Sequence, residues 1–140
     1  MFQKSFSKTY RNVDLSLIWQ AWADVSNWPK WDKGLDYCEI KDEFRVGTRF
    51  ILKPKDGQKV KITLHEVIEN DKFTDTCQFV GAIMFDEHVL EETENGVKIT
   101  NSIIVKGPLA FLWRHLVAKN VAKSMPAQTD NLVDYVRKLK

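Results

Sequence analysis

The stretch that most constrains this chain is its last, from Gly107 to Lys140: GPLAFLWRHLVAKNVAKSMPAQTDNLVDYVRKLK. It is the only segment long enough to form a major helix. Apolar residues fall at Leu109, Leu112, Trp113, Leu116 and Val117, then at Val121, Met125, Leu132, Val136 and Leu139. Steps of three, four and seven place them on one stripe. Gly107-Pro108 suits the start, because proline is tolerated in a first helical turn. At ~1.5 Å per residue the helix would span roughly 45 Å. A stripe of that length needs a broad apolar partner. Pro126 removes one hydrogen bond from the helix interior and clashes with the preceding turn. The expectation is a kink near Ser124-Met125-Pro126, or two helices in series.

The partner has to come from upstream, where most of the chain reads as strand. Residues 2–13 alternate, with Phe2, Phe6 and Tyr10 on one parity, as a half-buried strand does. Asp14 is a plausible N-cap. Leu15, Ile18, Trp19, Trp22 and Val25 follow at helical spacing, and Ser26-Asn27 ends that helix. Trp28-Pro29-Lys30-Trp31-Asp32 makes a shorter helical turn stopped by Gly34. The period then becomes two, predicting strands at 35–42, 48–53, 58–69, 72–80, 82–92 and 97–105. Val46-Gly47, Lys55-Asp56-Gly57, Glu69-Asn70-Asp71, Gly81 and Glu94-Asn95-Gly96 punctuate them. Several of these residues tolerate the positive φ of tight hairpin turns. Six consecutive strands on short turns form an antiparallel meander. Its apolar face must be covered, and the terminal helix is the element long enough to cover it. The fold class is therefore α+β: a seven-stranded antiparallel sheet wrapped around a long C-terminal helix, with two short helices after the first strand. Residues 1–140 are read as one domain, with no repeat or linker.

Several function classes drop out. A formal net charge of +2 singles out no partner. No run approaches the ~18 apolar residues of a membrane span, so no integral membrane association is expected. The start, MFQKSFSKTYRN, lacks the apolar core of a signal peptide. Cys38 and Cys77 are too few for a disulfide framework and are read as reduced thiols in a cytoplasmic protein. There is no glycine-rich phosphate loop, no GxSxG and no HExxH. His65, His88 and His115 are widely spaced, so neither a metal nor another cofactor is expected. Arg114, Lys119, Lys123, Arg137, Lys138 and Lys140 make a basic helix face. With no aromatic-basic stacking string beside it, that face is read as solvated, with no nucleic acid partner.

The element order and several local strings resemble the START-like helix-grip superfamily (SRPBCC), which includes polyketide cyclase/dehydrase-like proteins. Val13-Asp14-Leu15-Ser16-Leu17-Ile18-Trp19 looks like that family's lead into its first helix, and Trp28-Pro29-Lys30-Trp31 like its tryptophan-bearing second helix. Arg45-Val46-Gly47-Thr48-Arg49-Phe50 and Leu64-His65-Glu66-Val67-Ile68 are similar to its strand-turn strings. Asn95-Gly96-Val97-Lys98-Ile99-Thr100 and Lys106-Gly107-Pro108-Leu109 resemble the glycine turns before its final strand and last helix. The resemblance spans essentially the whole chain. It departs at Asn70-Asp71, where proline is frequent, and at Pro126. It implies an apolar ligand held between sheet and helix more firmly than it implies a reaction.

Strand parity then nominates a lining. Val60, Ile62 and Leu64 face inward, with Glu66 on the same parity near the strand end. On 82–92, Met84, Asp86, His88 and Leu90 share a face, and the resemblance puts that face inward. On the last strand Ile99, Asn101, Ile103 and Val105 do so. Trp31 near the mouth, and Trp113 and Met125 on the helix, suit an apolar guest of loose shape. Glu66, Asp86, His88 and Asn101 are the polar groups that would meet inside, to orient a ligand, to work as acid and base, or simply to face water at an open rim. Three functions fit: a binding or carrier protein for a small hydrophobic molecule, a cyclase or dehydratase using the same cavity, or an interaction module whose cavity is filled by its own aromatics. The first is the expectation, with a monomer or homodimer equally open.

Overall fold

A computed structural model of the chain describes residues 1–139; Lys140, part of the expected basic face, lies outside them. The seven strands are β1 (Phe2–Tyr10), β2 (Leu35–Ile40), β3 (Arg49–Pro54), β4 (Val60–Ile68), β5 (Lys72–Phe79), β6 (Ala82–Thr93) and β7 (Gly96–Lys106). They form one antiparallel sheet in the order β1-β7-β6-β5-β4-β3-β2. Consecutive strands from β2 to β7 are neighbours, and β1 closes the far edge against β7. The expected architecture is the observed one.

Helix α1 (Leu15–Ala23) begins where Asp14 accepts a hydrogen bond from the Ser16 backbone N–H at 2.9 Å, satisfying a donor that the helix start leaves free. It buries Ile18, Trp19, Ala21 and Trp22. A 3-10 helix, Val25–Lys30, follows and packs on β2. The first strand stops at Tyr10 rather than running to residue 13, because Asn12 turns the chain with a φ of 58°.

The terminal helix runs over residues 110–137 in three parts: α2 (Ala110–Trp113), a π-helical turn (Arg114–Ala118) and α3 (Lys119–Arg137). Pro126 lies inside α3, which runs through it as one helix rather than as two in series. Pro126 is exposed, between the buried Met125 and Thr129. An irregularity falls at the π turn, where the Lys119 N–H reaches back to the Arg114 carbonyl. Gly107, at φ 123°, lets the chain turn from β7 into this helix; a Cβ there would lie 2.9 Å from Ala82 Cα.

Helix α3 lies over β1 and β7 and against α1, so it covers only one half of the sheet. The other half, β2 to β5, is covered by α1 and the 3-10 helix with their tryptophans. Trp19, Trp22, Trp28 and Phe44 all lie ring-to-ring with Phe73, at centroid separations of 5.1 to 6.3 Å. Trp28 also meets Phe50 edge-on at 5.4 Å. Rings therefore fill the inner space over the middle of the sheet.

Candidate ligand site on the inner face of the sheet

Cross-strand register sorts the inner face into rows, because residues directly paired in a sheet share a face. One row runs Asn101–His88–Phe73, and the next runs Ile103–Asp86–Asp75–Leu64. Toward the start of the terminal helix follow Val105–Met84–Cys77–Ile62 and then Ala82–Phe79. The sheet thus carries two polar rows set among apolar ones.

His88 is the hub. Its Nδ1 lies 2.8 Å from Asn101 Oδ1. The Asn101 amide donates to Thr129 Oγ1 at 2.6 Å, and Thr129 donates to the Met125 carbonyl at 2.7 Å. With the Asn101 nitrogen so engaged, its oxygen faces His88, and Nδ1 carries the proton. Nε2 then points at Asp86, 3.3 Å away, and at Asp75, 3.8 Å away. Phe73 stacks on the imidazole at 4.4 Å and 21°, and Trp22 closes another side at 5.5 Å. Burial opposes a charge on His88, but the Asp86 carboxylate, with Asp75 and Asn101 behind it, wins and holds the group protonated up to about 9. Burial pushes the Asp75 carboxyl well above the usual range, and the Asp86 charge adds to this against the pull of His88. The set is a shared-proton cluster: two carboxyls and an imidazolium that compensate one another. The three donor atoms lie within 4.8 Å, as a cation's ligands do, but His88 would have to lose its proton before it could ligate.

Of the lining residues expected from parity, Leu64, Met84, Asp86, His88, Leu90, Asn101 and Ile103 all share the inner face. Met125 reaches the core from α3, and Trp31 is buried beside Trp28 at 6.1 Å. Trp113 is half-buried at the start of the helix, stacked on Phe79 at 4.4 Å and donating to the Val80 carbonyl. Glu66 is a correction. The β4–β5 register shifts between Leu64 and Glu66, so Glu66 pairs with Thr74, Thr74 with Glu87, and all three lie on the outer face. An inserted residue reverses the alternation beyond it. Glu66 instead pairs with Lys72 at 3.2 Å on the surface. Asp75 and Thr129 were not foreseen. Asp75 had a signal, since Phe73, Asp75, Cys77 and Phe79 share one parity. Thr129 had none, because only the crossing of α3 over β7 sets it above Asn101.

Two open clefts lie elsewhere. One of about 460 Å³ is lined by Asn12, Val13, Asp14, Leu17, Val136 and Arg137. The other, of about 600 Å³, lies along β3 to β5; it includes Arg49, Lys61 and Thr76 and also touches Val60, Cys77 and Phe79. Along the first half of the terminal helix a strip of the core is only partly covered: Leu52, Val60, Phe79, Trp113, Val117 and Val121 stay partly accessible, while Ile62, Cys77, Met84 and Val105 are buried. Gln128 donates to Asp32 at 2.6 Å, tying α3 to the loop after the 3-10 helix beside this strip.

No family model matches the chain, and no curated protein does. Among solved structures, it is similar to the hypothetical protein jhp0584 from Helicobacter pylori, at 19% identity and a TM-score of 0.77 over 96% of this chain and 88% of that one. It is similar to Ara h 8.0201, at 19% identity and a TM-score of 0.72 over 96% and 97% of the two chains. It also matches DynU16, from the dynemicin biosynthetic locus, at 14% identity and a TM-score of 0.72, over 99% of this chain and 48% of that one. At these identities the likeness is one of architecture, and that architecture is the helix-grip fold.

Proposed function

We propose that this protein binds a small, mostly apolar molecule with a hydrogen-bonding end. The apolar body lies between the sheet and the first half of the terminal helix, and the polar end meets Asp86, Asp75 and His88. The observation that carries this reading is the placement of that buried ionisable set behind an incompletely covered apolar strip. Isolated carboxylates inside a protein cost several kcal/mol, and replacing such a cluster with apolar side chains is commonly neutral or stabilising. Perturbed ionisable groups gathered at one place occur at functional sites more often than elsewhere. From the Phe79–Ala82 row to the Asp75–Asp86 row is four residues, about 13 Å at the rise of a strand. That length suits a fatty, polyketide or aromatic metabolite with a hydroxyl or amine to donate to Asp86.

The rings over the middle of the sheet bound the guest at its inner end, so the reading requires a site shorter than the whole sheet–helix gap. Its test is native mass spectrometry of freshly purified protein, with titration by 1-anilinonaphthalene-8-sulfonate. A retained small molecule, and probe binding weakened about tenfold by Asp86→Asn, would support it. Protein that emerges empty and leaves the probe free would make the chain a filled interaction module. One observation favours a second reading: the protonated His88 Nε2 lies 3.3 Å from Asp86, and a substrate oxygen that took the place of Asp86 as its partner could draw a proton from it. Turnover of a cyclisable polyketide-like substrate, abolished by His88→Ala, would establish a cyclase or dehydratase instead.

A further inference from the structure

The net charge of +2 conceals a strong polarity. At the end of the molecule where the terminal helix begins, four large apolar side chains face water: Val80 (77% exposed), Phe111 (65%), Leu116 (57%) and Leu112 (40%). They belong together in space. Trp113 donates to the Val80 carbonyl, and the Leu109 N–H donates to the carbonyl of Gly81, so the β5–β6 turn and the helix start form one surface. Basic side chains surround it. Between Glu94 and Asp130 the chain has no acidic residue at all, while Lys106, Arg114, Lys119 and Lys123 lie at or just beyond this end; Lys98 lies at the other, opposite Glu91. The β3–β4 hairpin reaches the same end with exposed Lys55 and Lys59; the acids there are Asp32, Asp36 and Asp56. The opposite end carries exposed Glu69, Asp71, Glu91, Glu92 and Glu94 on the β4–β5 and β6–β7 hairpins.

We propose that this apolar, basic end docks on an anionic lipid surface. Among the described residues no helix is long and apolar enough to cross a membrane, so the contact is peripheral. Phe111, Leu112 and Leu116 enter the boundary between headgroups and acyl chains, where an interfacial helix buries its apolar side chains. Lys106, Arg114 and Lys119 reach the phosphates from alongside, their long stems keeping the charge in the polar layer. Charge decides among the possible partners. A second copy would bring like charge against like. A nucleic acid would use the lysines but leave Val80, Leu112 and Leu116 wet. An anionic bilayer takes both features, and repulsion of the acidic end from it sets the orientation. The inference does not rest on ligand binding. If both hold, the incompletely covered strip opens toward the bilayer, and the guest is one that dissolves there.

The test is co-sedimentation of the whole protein with unilamellar vesicles of phosphatidylcholine, alone or with about 30 mol% phosphatidylglycerol. Binding is expected to the anionic vesicles only, and to weaken as salt rises from about 0.1 to about 0.5 M. The double variant Phe111→Ser/Leu116→Ser and the double variant Arg114→Glu/Lys119→Glu should each lower the partition coefficient by roughly tenfold or more. Both alter exposed side chains, so circular dichroism should match the unaltered protein. Failure to bind anionic vesicles would overturn the proposal, as would equal binding by the apolar double variant. A dimer in solution that the apolar variant turns to monomer, or retention of RNA in place of vesicles, would also overturn it by giving the patch another occupant.

Discussion

Where β4 turns into β5, Trp19, Trp22 and Phe44 close around Phe73, which is 1% exposed; where the terminal helix begins, Phe111 stands 65% exposed beside a π-helical turn. Both regions are rich in aromatic and aliphatic residues, so composition does not separate them. The first has partners on every side, and its rings meet edge to face, the arrangement their quadrupoles favour. The second has one layer of structure beneath it and nothing above. Apolar side chains that a fold has the means to bury and still leaves out carry information, most of all when the charges around them have one sign.

The largest expected difference between the two regions is in stability. Phe73→Ala should lower the unfolding free energy by about 3–5 kcal/mol, read from urea denaturation, because it removes the ring that the others share. An equal loss for Phe111→Ala would erase the distinction. Next is a dependence on pH at the closed end. Folding raises His88 from 6.5 to about 9, so the native state holds this proton more tightly than the unfolded chain. Its contribution is complete below 6.5 and lost as pH rises through 9, on the order of 3 kcal/mol over that window. Asp75 is also raised, so its contribution too falls as pH rises. His88→Gln should flatten the slope of urea midpoint against pH between 6.5 and 9, and an unchanged slope would assign it elsewhere. Smaller again is Tyr10→Phe. The hydroxyl donates to Asp130 at 2.5 Å and ties β1 to α3. Its loss should cost about 1–2 kcal/mol in thermal or urea unfolding. Smallest is Leu116→Ser, expected within about 0.5 kcal/mol of the unaltered protein. A larger loss would mean that Leu116 is part of the core and that the exposed end is no surface for docking.

Much of the candidate site was legible because parity is a local property. Met84, Asp86, His88 and Leu90 alternate along one strand, as do Asn101 and Ile103 along the next, and hairpin turns pin the two together. Glu66 was misread because a register shift leaves no clear mark in Leu64-His65-Glu66; the alternation of apolar residues reads equally well with or without it. Pro126 shows a different limit. The sequence marks it plainly, but whether the helix ends there or runs on depends on the tertiary packing of both halves, and α3 runs on to Arg137. Along its own sequence the basic helix face reads as solvated; the exposed Val80 beside it comes from the β5–β6 turn, which no periodicity within the helix brings near.

Periodicity by itself determined the strands, the order of the elements and the apolar stripe of the last helix. These follow from steps of two or of three and four between neighbours in the chain, which each segment carries within itself. Tertiary structure alone decided that α3 covers only the β1–β7 side, that Asp75 and Thr129 join His88, that rings fill the middle of the sheet, and that one end stays both apolar and basic. Each of these is a meeting of residues far apart in the chain. Such meetings are settled by register, by the path of one element across another, and by how much apolar surface the assembled layers can reach, none of which any short segment encodes.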